Sequence, residues 1–225
     1  MPKTTANGVE IHYEEQGDPA NPAMLLIMGF GAQLTLWPDE LVEGLASRGF
    51  RVIRYDNRDV GLSQKFTGHK PPSPARQVLM GKLGLKPRVP YTLADLAHDG
   101  VGLLDALGIE KAHIVGASMG GMIAQHVAAR HPARCLSLTS IFSTTGNPRL
   151  PSAKKEALAA LTKRPESTEE AVLVEHGIHL ARTIGSPGFP SPEERLRERS
   201  QASIRRSLYP EGPTRHLAAI LHDGD

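Results

Sequence analysis

The chain has 225 residues, of which 40% are hydrophobic and 22% charged, and its formal net charge is +2 at pH 7. This composition allows a sizeable core, and the small net charge favours neither a nucleic-acid nor a membrane partner. The apolar stretches are far shorter than the about 20 residues that a membrane-spanning helix needs. The N-terminus is polar and Cys135 is the single cysteine. We therefore predict a cytoplasmic protein without an internal disulfide.

The first part of the chain alternates strand and helix patterns. Val9–Gln16 alternates polar and apolar residues, which predicts an antiparallel strand at a sheet edge. Ala23–Met28 is an unbroken apolar run and Arg51–Tyr55 is a second short strand pattern, as expected of parallel strands buried on both faces. Between them, Trp37–Arg48 has helical spacing and is followed by Gly49, a typical residue after a helix end.

The same alternation continues in the middle of the chain. Leu93–Leu107 is predicted as a helix, with Thr92 as its N-cap and Asp95 completing a capping-box-like start. The strand patterns Ala112–Val115 and Leu136–Phe142 follow, separated by a further helix. Strands and helices in such alternation predict a parallel sheet that is covered by helices on both faces.

The pattern G-x-S-x-G lies where the strand Ala112–Val115 turns into a helix, at Gly116-Ala117-Ser118-Met119-Gly120. A serine in such a strained turn projects above the sheet, and Gly116 and Gly120 leave room for strand and helix to approach closely. Ser118 is therefore a candidate catalytic nucleophile, with the Met119 N–H directed at a developing oxyanion. The pentapeptide alone fits equally well a glycine-rich turn with an incidental serine.

Two further segments decide between these interpretations. In order and spacing, the sequence from residue 9 to residue 142 resembles the α/β-hydrolase family, and its nearest branch looks like the aclacinomycin-methylesterase and 3-oxoadipate enol-lactonase enzymes. The segments that carry the resemblance are L-L-I-M-G-F-G at Leu25–Gly31, V-I-R-Y-D-N-R-D-V-G-L-S at Val52–Ser63 and I-V-G-A-S-M-G-G at Ile114–Gly121.

The resemblance implies an α/β-hydrolase fold, in which a mostly parallel sheet has helices on both faces and a helical cap. It also implies that Phe30 supplies a second oxyanion N–H beside that of Met119. Met28 stands where many members of the family have His, which leaves the Phe30 N–H in place. Asp59 stands where many have Gly, at a turn whose role we expect to be structural.

After residue 146 the pattern becomes wholly helical. We therefore expect a core at residues 1–146 and a helical cap or lid at 147–225, which by the resemblance shapes substrate choice. The predicted helices are Lys154–Lys163, Thr168–Thr183, Glu193–Ser207 and Arg215–His222. A cluster of arginines between 195 and 206 alternates with glutamates at helical spacing, which favours an ion-paired surface over an anion site.

A serine nucleophile needs a histidine base that is oriented by an acid. In this fold the acid and the histidine follow later strands than those seen here, and the chain is expected to stop before these final core strands, about 60 to 80 residues short. His126 and His131 lie on the helix that follows Ser118, and His126 is about 12 Å further along it. His176 and His179 lie in the predicted cap and could reach over the pocket, but a polar histidine on a helix is more often a surface residue.

Together these patterns predict a serine hydrolase of a small carboxylic ester or lactone, with no metal and no cofactor. The 225-residue chain is expected to be inactive without its acid and base, and poorly soluble or a homodimer because of a bare sheet edge. Two alternatives stay open: a non-catalytic ligand-binding relic that has lost its base, and a cofactor-free perhydrolase, which in this family has the same catalytic triad. A dehalogenase or epoxide hydrolase is disfavoured, because those members of the family carry Asp where this chain has Ser118.

Overall fold

The computed structural model describes residues 2–223, except 69–72, 74, 75, 78, 81, 82, 84, 86–88, 148, 152 and 164. The chain divides into two compact units, a first unit of Met1–Asn147 with Tyr209–Asp225 and a second unit of Pro148–Leu208. The expected segment 147–225 is therefore split, because its last helix packs its buried side chains into the first unit. None of the helices in the described part of the chain is long and apolar enough to cross a membrane.

The first unit contains a six-stranded sheet. Its strands are β1 (Lys3–Ala6), β2 (Val9–Gln16), β3 (Ala23–Ile27), β4 (Arg51–Tyr55), β5 (Ala112–Ala117) and β6 (Cys135–Ile141). Their order in space is β1-β2-β4-β3-β5-β6, with β1, β2 and β4 paired antiparallel and β4, β3, β5 and β6 paired parallel. This order confirms the mostly parallel sheet expected from the sequence.

The two edges of the sheet differ from each other. The prediction of β2 as an edge strand was wrong, because the four-residue β1 pairs along its outer side. β1 is too short and too polar to show strand periodicity, so its sequence contains no sign of a strand. At the opposite edge, β6 pairs only with β5 among the described strands, and Leu136 and Leu138 on it are 49% and 42% exposed.

Helices cover both faces of the sheet. The helices of the first unit are α1 (Asp39–Ala46), α2 (Leu93–Ala106), α3 (Met119–Arg130) and α7 (Gly212–Asp223), and those of the second unit are α4 (Lys155–Thr162), α5 (Glu170–Ile184) and α6 (Glu193–Arg206). Alternate residues of β3 enter two different cores, with Leu25 beside side chains of α2 and α3 and Leu26 beside Val42 of α1. Burial on both faces explains why β3 is apolar without interruption.

Helix α2 begins as its sequence predicts. The Thr92 hydroxyl accepts a hydrogen bond from the Asp95 N–H at 3.3 Å, and the Asp95 carboxylate accepts one from the Thr92 N–H at 2.8 Å. Two N–H groups at the start of the helix are thereby satisfied reciprocally, which confirms the capping box.

The second unit is a small helical assembly. Its buried side chains lie on α4 and α5, at Ala160, Leu173, Val174 and Ile178, whereas α6 buries none. The arginines of α6 form ion pairs, such as Arg197 with Glu175 at 2.6 Å and Arg205 with Glu170 at 2.8 Å. These contacts favour the ion-paired surface that the alternating charges predict.

Candidate active site

Ser118 occupies a strained turn between β5 and α3. Its φ of 57° and ψ of −122° lie in a region that serine rarely adopts, which is a form of backbone strain that concentrates at functional sites. Two hydrogen bonds from the end of β6 and the residues after it hold the turn. The Ser118 N–H donates to the Ile141 carbonyl at 3.0 Å, and the Ser143 hydroxyl donates to the Ser118 carbonyl at 2.7 Å. The residue as a whole is partly exposed.

Glycines allow the backbones around Ser118 to approach one another. A Cβ atom on Gly116 would collide with the Gly120 carbonyl group, and one on Gly120 would collide with the Ile27 carbonyl group. A Cβ atom on Gly29 would lie 3.0 Å from the Ser118 Cβ and 3.5 Å from its Oγ. The turn that follows β3 therefore lies directly beside the candidate nucleophile.

Two backbone N–H groups near Ser118 are candidates for an oxyanion hole. Among the described residues, neither the Phe30 N–H nor the Met119 N–H donates a hydrogen bond to another group of the chain. Met119 is the first residue of α3, where the helix leaves N–H groups unpaired and its dipole favours negative charge. Phe30 follows Gly29, whose backbone approaches Ser118. The two donors predicted from the sequence thus lie on the two segments that meet at the serine.

A buried histidine of α7 contacts the turn after β3. His216 Nδ1 accepts a hydrogen bond from the Gly31 N–H at 3.2 Å, and its Nε2–H donates to the Arg58 carbonyl at 2.9 Å. The ring also makes edge contacts with Phe30 and Tyr91. Burial lowers the pKa of His216 from its ordinary value, so the imidazole is neutral at pH 7. His216 is not among the site residues that the sequence predicts.

Asp59 and Arg215 form a buried ion pair that attaches α7 to the segment after β4. Asp59 has a φ of 68° and accepts hydrogen bonds from Arg215 Nε at 2.7 Å and Nη2 at 3.1 Å. The Tyr91 hydroxyl and the Phe66 N–H also donate to its carboxylate, at 2.6 and 2.7 Å. Burial, and to a lesser extent the negative charge of the neighbouring Asp59, raises the pKa of Tyr91. Its hydroxyl therefore stays protonated and donates to Asp59. Asp59 therefore links one turn to three other segments of the first unit.

The structure brings no base to Ser118 within the described residues. No described histidine or carboxylate forms a hydrogen bond with the Ser118 hydroxyl. His126 instead accepts from the Arg130 side chain, and both ring nitrogens of His216 are engaged elsewhere. His176 and His179 belong to α5 in the second unit. Across the described ranges, no group of three or more His, Cys, Asp or Glu side chains is placed to hold a metal ion.

The fold and the strained serine agree with a known family. A family model described as the alpha/beta hydrolase fold matches residues 22–211. The chain therefore belongs to the α/β-hydrolase fold family, as the three sequence motifs indicate.

The chain is also similar to individual members of this family. The chain is 32% identical over 217 residues to rhodomycin D methylesterase DauP of Streptomyces sp. (strain C5), and 30% identical over 217 residues to rhodomycin D methylesterase DnrP of Streptomyces peucetius. Each match covers 87% of this chain and 65% of the relative. The chain thus spans slightly less than two thirds of the length of these relatives.

A solved structure gives the same result for the fold. The crystal structure of the enol-lactonase from Burkholderia xenovorans LB400 matches with a TM-score of 0.67 and 26% sequence identity. The match covers 97% of this chain and 73% of the enol-lactonase. The α/β-hydrolase fold expected from the sequence is therefore confirmed.

Proposed function

We propose that Ser118 is the nucleophile of a hydrolase that acts on a small carboxylic ester or lactone through an acyl-enzyme. The observation that carries the proposal is a strained, partly exposed serine beside two N–H groups, of Phe30 and Met119, that have no acceptor among the described residues. Such donors stabilise the negative charge that develops on a carbonyl oxygen under attack. The names of the relatives, two methylesterases and an enol-lactonase, favour an ester or lactone as the substrate.

The proposed reaction has two steps and uses no metal or cofactor. The Ser118 oxygen attacks the carbonyl carbon, and the resulting oxyanion accepts hydrogen bonds from Phe30 and Met119. The acyl C–O bond breaks and the alcohol oxygen takes the proton that Ser118 loses; the alcohol departs from an ester and stays on the acyl chain as a hydroxyl in an opened lactone, and an ester of Ser118 remains. Water then attacks this ester, releases the acid and restores the serine. We further propose that the second unit, Pro148–Leu208, acts as the cap that selects the substrate.

Both proton transfers in this scheme need a base. Because no described histidine or carboxylate forms a hydrogen bond with the Ser118 hydroxyl, we propose that this chain cannot turn over an ester by itself. The 225-residue protein should therefore hydrolyse p-nitrophenyl acetate no faster than its Ser118→Ala variant. The same observation favours the second candidate function, a ligand-binding relic that keeps the fold and has lost catalysis. A Ser118-dependent burst from the unmodified chain would contradict the lack of a base and exclude the relic.

A cysteine at position 118 tests whether this position presents a nucleophile, independently of whether a base is present. A thiol at a helix N-terminus is partly ionised near neutral pH and attacks without a general base. The Ser118→Cys variant should release about one equivalent of p-nitrophenolate in a burst, since its thiolate attacks the acetyl carbon and is left as a thioester. Intact mass and peptide mapping would locate a single acetyl group at residue 118.

The comparison needs a background without the native thiol. All variants should carry Cys135→Ala, because Cys135 is free and partly exposed. In that background Ser118→Ala is the control and should show neither a burst nor an acetyl group. If Ser118→Cys also shows no burst at pH 8, position 118 does not present a nucleophile to esters and the proposed function is wrong.

A further inference from the structure

We propose that His216 is a positioning residue for the oxyanion donor on Phe30. By accepting the Gly31 N–H, its Nδ1 atom fixes the turn Gly29–Ala32 in the conformation that keeps the Phe30 N–H available to the serine. This inference rests on the proposed function, because it assigns His216 a part in stabilising the oxyanion.

The hydrogen bond acts on the peptide group next to the donor. The Gly31 N–H belongs to the peptide plane that directly follows Phe30, so its direction is coupled to the Phe30 backbone angles. Gly31 has a φ of +63°, and a Cβ on it would lie 3.0 Å from Pro213 of α7. The Ala32 N–H closes the turn by donating to the Gly29 carbonyl at 3.2 Å. At the middle of this turn, the Gly31 N–H is bound by His216, a side chain from the distant helix α7.

The second ring nitrogen determines which tautomer His216 adopts. Its Nε2 lies 2.9 Å from the Arg58 carbonyl, which can only accept, so Nε2 carries the proton and Nδ1 is left as an acceptor for Gly31. A protonated ring would direct an Nδ1–H at the Gly31 N–H and break this bond. The charged groups around the ring are Arg58, Asp59 and Arg215, and the full burial of the ring disfavours its protonation.

Helix α7 is held in place independently of His216. Its Arg215 forms the buried ion pair with Asp59, and a Cβ atom on Gly212 would collide with the Asp59 carbonyl, so the helix start lies tightly against that turn. A substitution of His216 by a polar residue of smaller or equal size therefore leaves α7 attached. The change then acts on the hydrogen bond to Gly31 rather than on the position of the helix.

Two substitutions by amide side chains each retain a different one of the two hydrogen bonds of His216. In His216→Asn, the amide oxygen occupies the place of Nδ1 and accepts the Gly31 N–H. In His216→Gln, the longer side chain places its amide near Nε2, where it donates to Arg58, and leaves Gly31 without its acceptor. Both variants are made in the Ser118→Cys, Cys135→Ala background, and loss of tertiary structure is monitored by Trp37 fluorescence, since Trp37 is the single tryptophan.

The measured quantity is the ratio of two rate constants for the thiol introduced by Ser118→Cys. Acetylation by p-nitrophenyl acetate builds an oxyanion, whereas alkylation by iodoacetamide displaces iodide without one. Loss of a complete oxyanion donor slows a reaction by roughly 100- to 1,000-fold. A misdirected donor should cost less, so acetylation should slow by about 10- to 100-fold in His216→Gln and by less than about 3-fold in His216→Asn. Alkylation should stay within about 2-fold of the parent in both.

Every other outcome contradicts this role of His216. Equal ratios in the parent, Asn and Gln variants would overturn the positioning role. A parallel fall in both rate constants would also overturn it, because a purely structural role changes access to the thiol and slows both reactions. If the parent with histidine shows no burst at all, the proposed function itself fails and the role of His216 fails with it.

Discussion

Removing Arg215 should strongly destabilise the first unit. Its guanidinium and the Asp59 carboxylate are both fully buried, and Arg215→Met leaves that carboxylate buried without its ion-pair partner. Breaking a buried ion pair by removing one partner costs about 3–5 kcal/mol. The Tyr91 hydroxyl and the Phe66 N–H continue to donate to Asp59, so we expect a value near the lower end, about 3 kcal/mol. A second change, Asp59→Asn, removes the buried charge and should recover at least half of this loss.

Urea unfolding followed by Trp37 fluorescence measures this effect in the first unit alone, since Trp37 is buried there. With a denaturant slope of about 2–3 kcal/mol per molar urea, a loss of about 3 kcal/mol lowers the midpoint by about 1–1.5 M. The double variant should have a midpoint between those of the parent and Arg215→Met. A decrease below about 0.3 M in Arg215→Met, or a double variant that is less stable than both single variants, would refute the reasoning.

Three further changes test other features of the first unit. Gly120→Ala should lower the free energy of unfolding by about 3 kcal/mol or abolish folding, because the added Cβ would collide with the Ile27 carbonyl. The control Gly44→Ala, inside α1, should be neutral or stabilising by up to about 1 kcal/mol. The urea midpoints of the two variants measure this difference. Burial lowers the pKa of His216 in the folded protein below its ordinary value of 6.5, so as the pH falls this histidine is protonated in the unfolded chain before it is protonated in the folded one. The free energy of unfolding should therefore decrease as the pH drops below 6.5. His216→Asn should make the urea midpoint less dependent on pH over that range. Leu138→Lys should reduce self-association through the β6 edge, as measured by sedimentation velocity. The control Leu158→Lys, at an exposed leucine on α4 of the second unit, should leave self-association unchanged. Equal effects of the two substitutions would contradict a contact through the β6 edge.

The parts of the fold that the sequence predicts are those with local signals. The apolar run of β3, the capping box at Thr92 and the G-x-S-x-G pattern around Ser118 are each recognised from residues a few positions apart. The turn at Ser118 is predictable because strand, serine and helix are contiguous in the chain. Such features need no knowledge of distant contacts.

The features that the sequence does not predict depend on partners far apart in the chain. His216 meets Gly31 across 185 residues, and Arg215 meets Asp59 across 156. The helical spacing of α7 shows that one of its faces is buried, but it does not show against which part of the molecule. For the same reason the chain position of α7 suggests the cap, although its buried side chains bind it to the first unit.

The division of the chain also has a consequence for how it unfolds. The second unit leaves the first at Asn147 and returns at Tyr209, so it is an insertion fixed at both ends. If the second unit unfolds alone, about sixty residues become a flexible loop within the first unit. The entropy of closing that loop lowers the stability of the first unit by only about 2 kcal/mol more than closing a loop of about six residues would. The sheet and the turn at Ser118 can therefore persist while the inserted helices exchange, and replacing residues 148–208 as one segment would test the proposal that the second unit selects the substrate.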